Sequence, residues 1–161
     1  MQNNFLGYNV QSSSGNESNN KIFSGGATGA KSGFLRTKGK EIIVSIIIFL
    51  VLDVCFIYIN RTNFVNMVEK IQKKTVNLNI SSAIITYLFM YLGLYYFIIN
   101  QKRTPVDAFI LGIVIYGTFE FTNMAIFTDW TIYTALTDTL WGGVLFSSTT
   151  YLTKLVLYGT N

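Results

Sequence analysis

The sequence predicts an all-α fold, a four-transmembrane-helix bundle with a disordered polar N-terminal arm. Three observations carry that expectation. Half of the 161 residues are hydrophobic and only 12% are charged, whereas a soluble domain carries roughly 25% charged residues. The apolar residues gather into four long runs, over 42–59, 80–99, 105–127 and 131–157. At about 1.5 Å per residue each is near or above the length that crosses a hydrocarbon core. Residues 1–40 are instead rich in Asn, Ser and Gly and hold no apolar run of signal-peptide length. Such a stretch buries too little apolar surface to offset its ordering entropy, so it is expected as an arm on a membrane domain at 41–161.

Composition also excludes several chemistries. There is one cysteine, Cys55, and no histidine. A disulfide within the chain is therefore ruled out, as are His/Cys-ligated zinc, haem and iron–sulfur centres and any nucleophile activated by histidine. No cofactor is expected. The net charge of +4 is spread over the segments between apolar runs, which suits membrane orientation and not nucleic-acid binding. The expected partner is the lipid bilayer, with a second copy of the chain or another membrane protein as further partners.

In chain order, Lys31, Arg36, Lys38 and Lys40 lead into the first run, and a basic flank before a span marks the cytoplasmic side. Helix 1, 42–59, is dominated by Ile and Val and interrupted by Asp53. A loop over 60–79 follows. Within it Phe64, Val65, Val68 and Ile71 fit a short amphipathic turn, and a plain solvated loop fits equally well. Helix 2, 80–99, carries Tyr87, Tyr91 and Tyr95 at i, i+4, i+8, a stripe whose phenols want partners inside the bundle.

Thr104-Pro105-Val106-Asp107 spells a capping box that starts helix 3. That accounts for Asp107 without a functional role. At the far end Thr128-Asp129-Trp130 reads as a turn, with Asp129 as the next N-cap and Trp130 as an interface anchor. Helix 4 holds Asp138 and Trp141, then Gly142-Gly143 where backbones can approach, and Lys154 near its end. With the N-terminus inside, seven Lys/Arg flank the inner face and four the outer, which predicts both termini on the cytoplasmic side.

Helix 3 contains the informative charge. Residues 108–127 carry a single one, Glu120, and Tyr116, Glu120 and Asn123 share a helix face. Counted from the outer ends of the helices, Asp53, Glu120, Asp138 and Tyr87 all fall about 10 Å below one interface. The candidate intramembrane polar site is therefore Asp53, Tyr87, Tyr116, Glu120, Asn123, Asp138 and Trp141. Clustered carboxyls in a low dielectric must hold protons or a cation between them. The readings left open are helix-to-helix hydrogen bonding, a proton or cation pathway, a hard-cation site, and acid/base chemistry, which needs a cleft open to lipid. Structural or accessory service in a membrane leads, a small proton- or cation-coupled transporter is the alternative, and an enzyme comes last.

These motifs also carry a resemblance. Leu52-Asp53, the run DAFILGIVIYGTFEFTN at 107–123, Thr128-Asp129-Trp130 and the D-x-x-W-G from Asp138 to Gly142 together resemble the predicted membrane proteins grouped as domain of unknown function 2177. The likeness covers 42–156. Family members read Y-G-T-Y-D-x-T-N where this chain has Phe119 for the second tyrosine and Glu120 for the aspartate, a longer carboxylate with a different reach. The resemblance implies four helices in a bacterial, protist or large-virus membrane and brings no established activity. An Asn-, Ile-, Lys- and Tyr-heavy composition, suited to an AT-rich genome, agrees with the last two of those sources.

Overall fold

The structure is a computed structural model that describes the backbone of residues 18–159 and the side chains of 35–159. The chain divides into two compact units, 1–37 and 38–161. Among the described residues the secondary structure is all helical: α1 (Ser18–Gln72), α2 (Ile80–Leu94) extended by a π-helical turn (Tyr95–Ile99), α3 (Pro105–Ile126) and α4 (Ile132–Tyr158). Three of these are long and apolar enough to cross a membrane: Leu35–Gln72 of α1, Ile80–Ile99, and α3. Few residues of those stretches are enclosed by the protein itself. Side chains such as Ile47, Val51, Ile84, Leu88, Ile110 and Val114 point outward, and lipid is the solvent that suits them.

Helix α1 departs most from its expected bounds. It starts at Ser18, so residues 18–40 are helical where an arm without structure is expected; the rest of that arm, 1–17, lies outside the described residues. At its other end α1 continues through 60–72, and the expected long loop shrinks to 73–79. The cause is tertiary burial. Met67 packs with Trp130 and Ala135, supported by Val68, Ile71 and Met124, and Phe64 meets Trp130 edge-on at 6.1 Å. Lys70 closes the end with an ion pair to Asp129 at 2.7 Å. The helix then stops at Lys73, whose φ of 54° is left-handed.

Helix α2 begins on an N-cap, with the Asn79 side chain accepting from Ser82 N. Its tyrosine stripe faces inward: Tyr91 Oη lies 2.7 Å from Ser45 Oγ, and Phe49 touches the rings of both Tyr87 and Tyr91. The capping box of α3 forms as the sequence spells it, with Asp107 N donating to Thr104 Oγ1 and Thr104 N donating to Asp107 Oδ2. The N-cap of α4 is Thr131, which accepts from Thr134 N. Asp129 is not that cap, because its carboxylate is turned to Lys70.

The core sits where α3 and α4, the most extensive helix pair, cross backbone to backbone. A Cβ added to Gly112 would stand 2.1 Å from the Gly142 carbonyl oxygen, and one on Gly143 would stand 2.7 Å from the Phe109 ring. Only glycine permits so close an approach. Phe49 of α1 and Phe146 of α4, both fully buried, meet edge-on at 5.7 Å just beside this crossing. Helix α4 has the most buried residues of the four, among them four of its six threonines, Thr139, Thr149, Thr150 and Thr153, which the rest of the protein shields from lipid.

Candidate functional site

The carboxylate of Asp53 is where helices meet. Asp53 lies on α1, 4% exposed. Its Oδ2 accepts from Tyr87 Oη of α2 at 2.6 Å, and its Oδ1 accepts from Trp141 Nε1 of α4 at 2.9 Å. Phe56, one turn further along α1, stacks flat on Trp141 with centroids 4.3 Å apart and fixes the indole in that pose. Tyr116 of α3 lies near both Asp53 and Asp138, while its ring packs edge-on to Phe146 and against Gly142.

A second focus lies one step away. Glu120 of α3 is fully buried, and its Oε2 accepts from Trp130 Nε1 at 2.8 Å. The carboxyl of Asp138 on α4 faces it. Glu120 Oε1 and the neighbouring Thr139 Oγ1 are buried without a hydrogen-bond partner among the described residues. No positive side chain reaches either focus in the contacts described. The donors available to the acids at this depth are therefore phenols and indoles.

Six of the seven expected residues thus belong to one connected group: Asp53, Tyr87, Tyr116, Glu120, Asp138 and Trp141. Asn123 does not join them. Its side chain makes no hydrogen bond among the described residues, and its backbone carbonyl receives Phe127 N at the end of α3. It shares a face with Tyr116 and Glu120 yet lies about 5 Å further along the α3 axis than Glu120. The three carboxyls also stop short of converging. Among the described residues no group of three or more His, Cys, Asp or Glu side chains is placed to hold a metal ion.

Trp130 corrects the sequence reading. It is a buried donor to Glu120, 9% exposed, where an interface anchor is expected. A buried acid with no lysine or arginine nearby needs a neutral donor, and a tryptophan ten residues downstream across a tight turn is the signal that identifies one. The sequence reading also passes over a polar network at the opposite ends of the helices. There Tyr158 Oη donates to Glu41 Oε1, Ser45 Oγ donates to Glu41 O at 2.6 Å, and Tyr91 Oη donates to Ile42 O at 2.9 Å. Glu41 is only 8% exposed, so its position just before an apolar run does not make it a solvated flank.

Apolar helices with outward-facing aliphatic side chains, joined through buried carboxyls that answer to tyrosine and tryptophan, define a helical integral membrane protein. The model of one family matches residues 39–155, and the chain belongs to that family, described as predicted membrane protein, domain of unknown function 2177. No curated protein and no solved structure matches the chain.

Proposed function

We propose that the protein is a structural or accessory component of a cell or virion membrane, with its buried acids serving to hold helices together. The observation that carries this reading is Asp53, both of whose oxygens accept hydrogen bonds, from Tyr87 on α2 and Trp141 on α4. A carboxylate engaged on both sides is a fastener between three helices, and each such bond in a bilayer contributes about 0.6–2 kcal/mol. The same reading takes α4 as the fourth span and both termini as cytoplasmic, and it divides the chain into an arm, 1–40, and a membrane domain, 41–161. Single cysteines at Thr75 and Gln101, with Cys55 replaced by serine, are then labelled from opposite sides of the membrane. Labelling of both from one side contradicts that topology. The functional test is proton and cation flux in reconstituted vesicles, where the parent protein gives none above empty vesicles.

A small proton- or cation-coupled transporter is the second reading. The facing carboxyls of Glu120 and Asp138, with Glu120 Oε1 left without a partner among the described residues, favour it. Flux that is present in the parent protein and absent in Glu120→Gln would replace the first reading with this one.

A further inference from the structure

The outward side of α4 is not uniformly apolar. Where α3 begins beside it, an open groove of about 360 Å³ is lined by Ser147, Ser148, Tyr151 and Leu152 of α4 and by Pro105 of α3. None of the three hydroxyls in that lining makes a hydrogen bond among the described residues. Thr86, Thr118 and Thr150 each return theirs to the carbonyl oxygen four residues back. The hydroxyls of the groove are thus available to a partner outside their own helix.

Depth makes that condition informative. Lys154, bonded to the Arg103 carbonyl oxygen on the turn before α3, follows the two serines by about two helical turns. Ser147 and Ser148 therefore lie about 10 Å deeper than that lysine, where lipid tails offer a hydroxyl no partner. Among the described helices α4 is also the one that length and composition alone do not mark as a span. Protein suits its open side better than lipid does, because small residues admit a second helix and hydroxyls bond across the contact. Exposed Leu140 and Val144 continue the same side toward the other end of the helix.

We propose that this face pairs with the same face of a second copy of the chain, α4 against α4. Membrane insertion gives both copies one orientation and one depth, so a two-fold axis along the membrane normal sets like residues level with each other. The face is then its own complement. Ser148, Tyr151, Leu152 and Leu155 stand at i, i+3, i+4 and i+7, the four corners of a hole that receives a knob from a facing helix. In a parallel pair in register, the knob at that level is Tyr151 of the other copy, and Tyr151 is 54% exposed. Helical side chains lean toward the N-terminus, so each ring is carried over the other copy's serines, where its hydroxyl finds a partner. The pairing rests on α4 as a span, the topology proposed above, and not on what the acid cluster does.

The test uses the full-length protein, labelled with one dye per chain and reconstituted in phospholipid vesicles at falling protein density, with copies counted by single-molecule photobleaching. The parent protein is expected as a dimer that gives way to monomer only on dilution. Ser147→Ala combined with Ser148→Ala keeps the groove and removes its hydroxyls, and should weaken pairing at least about threefold, the lower end for one interhelical hydrogen bond. Tyr151→Phe should weaken it similarly in the parent and add nothing in the double-alanine background, since both changes break the same bond. Ser148→Leu fills the groove and should weaken pairing most. None of these positions is fully buried, so each variant keeps its own fold. A parent protein that is monomeric at every density overturns the proposal, as does Ser148→Leu pairing as tightly as the parent. Full additivity of Tyr151→Phe with the alanines overturns the bond between them. Ser147→Cys, with Cys55 replaced by serine, tests the span separately. Labelling of that cysteine by a membrane-impermeant maleimide overturns the span and the pairing together, whereas a shielded cysteine on a monomeric protein overturns the pairing alone.

Discussion

Helices α3 and α4 touch through their backbones, whereas α1 reaches its neighbours through side chains. At the α3–α4 crossing Gly112, Gly142 and Gly143 remove every atom that would keep the two backbones apart. What holds the pair is dense van der Waals contact, the main source of helix association where lipid is as apolar as leucine. Among its described residues helix α1 has no such glycine seam. It is fastened at spaced points: Glu41 to Tyr158, Ser45 to Tyr91, Asp53 to Tyr87 and Trp141, and Lys70 to Asp129. Shape holds one contact and polar chemistry the other, and the two should fail differently.

The largest expected effect tests the shape side. Gly112→Val places its branch against the Gly142 carbonyl oxygen, a backbone atom that no rotamer change can move aside. The loss should be about 3 kcal/mol or more, the upper range for overpacking. Unfolding in mixed micelles measures it, and a stable Gly112→Val protein would mean that the crossing is looser than its geometry. Asp53→Ala comes next. It strands the Tyr87 hydroxyl and the Trp141 N–H together, at about 1–3 kcal/mol for polar groups left unpaired. Asp53→Asn keeps one good acceptor and should cost less than the alanine change. If the asparagine variant is the less stable of the two, charge and not hydrogen bonding fastens α1.

Two smaller changes sharpen the contrast. Trp130→Phe removes the donor to Glu120 but keeps a ring against Phe64 and Phe119. A stability loss of about 1 kcal/mol is expected, in the range of single interhelical hydrogen bonds in membranes. Lys70→Ala breaks an ion pair whose partners are both well exposed, and its effect should stay within about 0.5 kcal/mol. A larger loss at Lys70 would show that the outer end of α1 depends on that pair more than on Met67 and Phe64.

What could be read from the sequence divides along the same line of local against distant causes. The capping box at Thr104, Pro105 and Asp107 is written in four consecutive residues, and it forms. The tyrosine stripe of α2 follows from helical period alone, and it faces inward. The length of α1 was not legible, because residues 60–72 become a buried face only against Trp130 and Ala135, more than fifty residues away. Counting residues from the helix ends gives Asp53, Glu120 and Asp138 one expected depth. Depth carries no azimuth, so it does not reveal that Asp53 turns to Tyr87 and Trp141 while Glu120 turns to Trp130. Asn123 shows the limit of periodicity in the other direction: a residue can share a face and still find no partner along it.

The two bonds to Asp53 also set an order in time. Tyr87 follows it by 34 residues in the chain and Trp141 by 88. At synthesis rates of about 5–20 residues per second, the indole emerges roughly 4 to 18 seconds after the aspartate. For that interval α1 must stand in the membrane with its acid first unmatched and then met by Tyr87 alone, and inserting an aspartate at a helix centre costs about 2.5–3.5 kcal/mol. The aliphatic residues around Asp53, from Ile46 through Val54, are what carry the nascent helix through that wait. Their hydrophobicity therefore serves the ribosome-bound chain as much as the finished protein.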